Sequence, residues 1–149
     1  MIIPDVNLLL YAYGADFPHH AKATAWWQKS LSGPDLVVLP AVVVFGFLRL
    51  GTSARVFAQP MTPAEAAAHV RSWLAQPGVQ ILEPAQTHVE QVMRALEQLG
   101  TAGNLVTDAQ IAALAIEHDA VLHTNDTDFL RFPGLRCFNP LTEAKARKR

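Results

Sequence analysis

Short, mostly apolar runs set between helix-length segments limit what this chain can fold into. Ile2–Ile3, Leu36–Leu39, Val79–Leu82 and Ala120–His123 are too short for buried helices and read as buried strands. Leu135–Phe138 is a candidate short fifth. The segments between them carry helix signals. Pro18 opens one segment, with Ala21, Ala25 and Trp26 spaced for a packed face. Pro40–Leu50 has Pro in its first turn. Thr62 followed by Glu65, with Pro63 between, is a capping-box pattern, and Thr87 followed by Glu90 repeats it ahead of Gly100. Leu8–Tyr13 and the Ala-rich Thr107–His118 complete the set. Strands alternating with helices predict an α/β domain on a mostly parallel sheet.

The chain has 149 residues, half of them hydrophobic, which suits one domain over 1–140 with a frayed basic tail over 141–149. The longest run without a polar residue, Leu36–Leu48, is broken by Pro40 and Gly46 and falls short of the roughly 20 residues a membrane span needs. A lone cysteine, Cys137, excludes an internal disulfide framework and a cysteine-based zinc site. No basic region precedes the first apolar residues, so no signal peptide is expected. The expectation is a soluble, cytoplasmic protein.

The formal net charge of −1 conceals an asymmetry. Between residues 95 and 130 lie Glu97, Asp108, Glu117, Asp119, Asp126 and Asp128, with no Lys or Arg. Six basic residues against one acid follow between 131 and 149. The acids matter because ligands of open α/β sheets bind beyond the carboxyl ends of the strands. Asp5 and Asn7 follow the first strand, and Asp126 and Asp128 follow the fourth. Asp108 lies in the first turn of the helix leading into that strand. Carboxylates gathered in one pocket repel one another unless a cation sits among them. An all-oxygen cluster suits Mg²⁺ or Mn²⁺. Such an ion assists phosphodiester hydrolysis.

Simpler roles exist for each acid: Asp108 as a favourable charge at a helix start, Asp126 and Asp128 as turn residues. His123, in a strand, reads as a core histidine, and Trp26, Trp27 and Trp73 read as core or interface residues rather than base-stacking platforms. His19, His20, His69, His88 and His118 have no metal-ligand spacing, and no P-loop, G-x-G-x-x-G, H-E-x-x-H or G-x-S-x-G occurs.

The ordered set D-V-N (5–7), F-L-R-L (47–50), N-L-V-T-D-A (104–109), T-N-D-T-D-F (124–129) and F-P-G-L (132–135) resembles PIN-domain ribonucleases, and more narrowly the VapC toxins of type II toxin–antitoxin systems. The resemblance implies a three-layer α/β/α sandwich on a five-stranded, mostly parallel sheet. It implies Mg²⁺- or Mn²⁺-dependent endonucleolytic cleavage of RNA, often tRNA or rRNA. By motif, Asp5, Asp108 and Asp126 would bind metal, Asp128 would be a further acid, and Asn7 and Thr124 would support the pocket. Partners would be the RNA, a second copy of the toxin and a VapB-like antitoxin. One departure stands out: where family members usually carry a Glu on the helix after the second strand, this chain has Gly46. Arg49, one turn on, is either a phosphate contact or the partner of a pocket carboxylate or a neighbouring chain, and Lys145, Arg147, Lys148 and Arg149 are either phosphate contacts or a solvated basic tail. The rival readings are a catalytically weakened PIN-like protein acting through its antitoxin complex, and a phosphoryl-transfer domain. Against the latter, residues 5–7 read D-V-N rather than D-x-D.

Overall fold

The computed structural model describes residues 1–142 and the backbone of 144–147. Strands β1 (Ile2–Pro4), β2 (Val37–Pro40), β3 (Val79–Leu82), β4 (Val121–His123) and β5 (Arg136–Asn139) are all parallel, and β6 (Ala144–Arg147) adds to β5 antiparallel. The sheet order is β3-β2-β1-β4-β5-β6. The expected five parallel strands are therefore present. The sixth comes from the segment expected to fray: the edge of β5 offers unpaired backbone groups, and the chain folds back onto them. Glu143, Lys148, Arg149 and the side chains of 144–147, including the basic residues of the tail, lie outside the described residues.

Helices α1 (Val6–Tyr13), α2 (His20–Ser32), α3 (Ala41–Gly51), α4 (Pro63–Leu74), α5 (His88–Leu99) and α6 (Leu105–Glu117) fill the connections. The chain runs β1 to β2 to β3 in one direction, then crosses to the other side of β1 to place β4. Right-handed crossovers put the two groups of helices on opposite faces, giving three layers. The reversal lies between β1 and β4, where a ligand crevice is expected.

Local chemistry explains most boundaries. Thr62 Oγ1 accepts from the Glu65 amide at 3.1 Å and caps α4, with Pro63 at its first position. Gly100 ends α5 in the left-handed conformation, φ 70°. The cap predicted at Thr87 does not form. Thr87 sits in right-handed helical geometry, and the Glu90 carboxylate instead accepts from Arg94 at 3.0 Å.

The core is apolar and aromatic. Trp73 is fully buried; its ring packs edge-on against Phe47 at 4.7 Å and Trp27 at 5.4 Å. Its indole N–H donates to Tyr13 Oη at 2.6 Å. Trp73→Ala should cost about 3–5 kcal/mol in urea unfolding, through the cavity and the orphaned hydroxyl. Trp73→Phe should recover much of this but not the hydrogen bond. All three tryptophans are buried, as their core reading required. His123 is held as expected, accepting at Nδ1 from the Trp26 indole at 2.9 Å. Burial lowers its pKa from 6.5 to about 4. Among the described residues, no helix is long and apolar enough to cross a membrane.

Candidate active site: four aspartates at the switch point

The register of β1 and β4 fixes the first two site residues. Pro4 pairs with His123, and the Asp5 amide donates to the His123 carbonyl at 2.9 Å. Asp5 and Thr124 are therefore the first residues beyond two adjacent strands. They are the buried polar side chains among the described residues, and they satisfy each other: Thr124 Oγ1 donates to Asp5 Oδ2 at 2.8 Å. The same hydroxyl oxygen accepts from the Asp126 amide at 3.0 Å. Asp126 Oδ1 in turn accepts from the Asp128 amide at 2.9 Å, capping the 3-10 helix Thr127–Arg131. The turn-residue reading of Asp126 is thus correct as far as it goes. The cap engages Oδ1, and among the described residues the second oxygen accepts no hydrogen bond.

Asp108 arrives from the other direction, on the first turns of α6. Asp108, Asp126 and Asp128 can each place one carboxylate oxygen within 4.8 Å of the others. The motif reading groups Asp5, Asp108 and Asp126 as ligands, whereas the close trio has Asp128 in place of Asp5. The reason is local. Asp5 is buried at the strand end and tied to Thr124, while Asp128 is exposed at the mouth. Asp5 still lines the same pocket, of about 340 Å³, with Asn7, Gly46, Arg49, Asp108 and Asp126.

The electrostatics record this crowding. Burial, then the charge of Asp126, push the Asp5 pKa from 3.8 up to about 6, against the opposing hydrogen bond from Thr124. Asp108 also rises to about 6, through burial and then the charges of Asp5, Asp126 and Asp128. The donor set is entirely carboxylate oxygen, which fits a hard divalent cation and no soft metal.

Gly46 marks the missing acid. A Cβ at this position would lie 2.9 Å from Val6 Cγ2, so the side chain beside Asp5 occupies the space that residue 46 would need. Arg49 is exposed at the rim and makes no ion pair among the described residues, despite the nearby carboxylates. Asn104 and Thr107 also line the pocket and were assigned no role from sequence. The sequence pattern starts this helix at Thr107, whereas α6 begins at Leu105 and brings Asn104 to the pocket edge. Asn104 stands in the N-L-V-T-D-A segment, which was the available signal.

Comparison with known proteins identifies the fold: the PIN domain matches residues 2–135, and the chain belongs to the PIN-domain family, in its VapC branch. It is similar to Ribonuclease VapC33 of Mycobacterium tuberculosis, 50% identical over 143 residues, covering 96% of this chain and 100% of that protein. It is 39% identical to Ribonuclease VapC37 of the same species, covering 94% and 97% of the two chains. Among solved structures, VapC20 of M. tuberculosis, described as a sarcin–ricin loop cleaving toxin, matches with TM-score 0.68 at 21% identity, over 87% of this chain and 93% of that one. VapBC2 of Rickettsia felis, bound to a DNA fragment from its promoter, matches with TM-score 0.66 at 21% identity, over 93% and 98%. These structural likenesses bear on the fold.

Proposed function

We propose that this chain is an Mg²⁺- or Mn²⁺-dependent endoribonuclease, the toxin of a toxin–antitoxin pair acting in the cytoplasm. The observation that carries the reading is the convergence of Asp5, Asp108, Asp126 and Asp128 at the β1/β4 switch point. Curated relatives named as ribonucleases support the activity, and structural neighbours include toxin–antitoxin complexes.

Asp108, Asp126 and Asp128 would hold the ion, with Asp5 behind them as a fourth negative charge. When bound, Mg²⁺ or Mn²⁺ would lower the pKa of a coordinated water and offset charge on the scissile phosphate. The protein's own contribution is positional. Thr124 fixes the Asp5 carboxylate and, through the Asp126 amide, the backbone that presents Asp126. Arg49 supplies the positive charge on the pocket wall and would contact a phosphate oxygen. Asn7 and Asn104 add neutral polar groups to the lining. The acids repel RNA until an ion is bound, so metal loading precedes productive substrate binding. The toxin would act as a homodimer and be silenced by a VapB-like antitoxin.

The test is incubation of the antitoxin-free protein with total RNA, with and without Mg²⁺ or Mn²⁺. Discrete cuts that require metal are expected. Tight antitoxin binding with no cutting would replace this reading by the weakened-nuclease one, for which the absence of an acid at Gly46 is the motive. Acyl-phosphate labelling at Asp5 would point to phosphoryl transfer.

A further inference from the structure

Phe45 is the exception to the burial of aromatic side chains in this protein. It is 65% exposed, whereas every other Trp, Tyr and Phe is buried or half-buried. Its position on α3 is specific. Val43, Val44, Phe47 and Gly51 form the buried face of this helix, while Gly46, Arg49 and Leu50 line the acidic pocket. Phe45 stands one turn before Arg49 on α3, so the two side chains are neighbours on the helix surface, next to the pocket that Gly46 and Arg49 line. Four residues of helix separate them by about 6 Å along the axis, a span that the sugar of one nucleotide bridges.

We propose that Phe45 and Arg49 form a nucleobase subsite, in which the Phe45 ring stacks on a base beside the scissile phosphate and Arg49 holds its phosphate. The inference rests on the nuclease reading of the aspartate pocket. A single-stranded nucleic acid is recognised by alternating cations and aromatic faces, and stacking tolerates any base. The surroundings of Phe45 favour RNA over a protein partner. Of the other exposed large apolar residues, Met1 precedes β1, Leu74 ends α4, and the rest lie on β3, α5 and α6; none is on α3. A single exposed ring beside a cation with no ion pair among the described residues, and beside a carboxylate pocket, is a poor protein-docking patch, which needs contiguous apolar surface.

The experiment compares the wild type with Phe45→Ala, Phe45→Leu and Phe45→Trp on a random-sequence single-stranded RNA pool carrying a fluorophore and quencher. Ala and Leu should lower kcat/KM about tenfold or more, chiefly through KM, and Trp should restore it. RNA should quench the emission contributed by the Trp at position 45. Mn²⁺ affinity, read by electron paramagnetic resonance, should stay at the wild-type value in all three. Equal kcat/KM for Ala and the wild type would overturn the proposal and assign the ring to a protein contact. Full activity in Phe45→Leu would also overturn it, since an aliphatic side chain cannot stack. A fall in Mn²⁺ affinity would assign Phe45 a packing role instead. A wild type that binds Mn²⁺ yet cuts no RNA would sink the nuclease reading, while quenching would still report on the subsite.

Discussion

Asp108→Asn should reduce metal-dependent RNA cleavage by more than about 100-fold and, in EDTA at pH 7, raise the melting temperature by about 2–4 °C. The two effects have one cause. Asp108 faces Asp5, Asp126 and Asp128, and burial together with their charges lifts its pKa to about 6. In the unfolded chain the group titrates near 3.8. At pH 7 the metal-free fold therefore carries an ionised group that it disfavours relative to the unfolded state. A carboxylate at the start of a helix is normally favourable, but the raised pKa shows that burial and the neighbouring acids outweigh the helix dipole. The sign follows from linkage. The folded state holds the proton between about pH 4 and 6, so the penalty is complete above pH 6 and disappears as pH falls below 4. The stabilisation by Asn should shrink over that window. Differential scanning calorimetry from pH 4 to 7.5, beside Mn²⁺ titration and RNA cleavage, checks all three parts. A lower melting temperature in EDTA at pH 7 would mean that Asp108 is structural and not a metal ligand held under strain.

Much of this was legible in the chain, for physical reasons that differ by element. The buried parallel strands β1 and β2 carry uninterrupted apolar runs because both faces are covered, so they stand out, while β4, half-buried and ending in His123, is read from its flanks. Asp5 was readable for the same reason: an acid directly after such a run has few roles except at the strand end. The motif order then brought Asp108 and Asp126 to the same place. The grouping within the pocket was not readable, because it depends on hydrogen bonds between residues far apart in sequence. Thr124 draws Asp5 into the strand layer, and the Asp126 cap turns Asp128 toward Asp108. The capping-box pattern at Thr62 and its failure at Thr87 make the same point on a smaller scale. Identical local patterns diverge once Thr87 takes a helical backbone and Glu90 finds Arg94. Nor could the close approach of Val6 to position 46 be read from either residue's own segment.

Thr124→Val should lower Mn²⁺ affinity about 10- to 100-fold and move the acid limb of the pH–rate profile toward higher pH. Thr124 touches no substrate in this arrangement; it acts through Asp5 and Asp126. Its hydroxyl donates to the ionised form of Asp5 and is the largest influence holding that pKa down against burial. Without it, Asp5 should titrate above 6. Metal loading must then displace a proton over a wider pH range, so the affinity gap between variant and wild type should be largest below about pH 7 and close at alkaline pH. The Asp126 amide also loses its acceptor, which loosens the turn that presents Asp126 and Asp128. Thr124→Ser keeps the hydroxyl and should restore both affinity and pH profile. A merely structural role would lower activity equally at every pH. An unshifted acid limb in Thr124→Val, with activity down throughout, would therefore remove Thr124 from the control of Asp5.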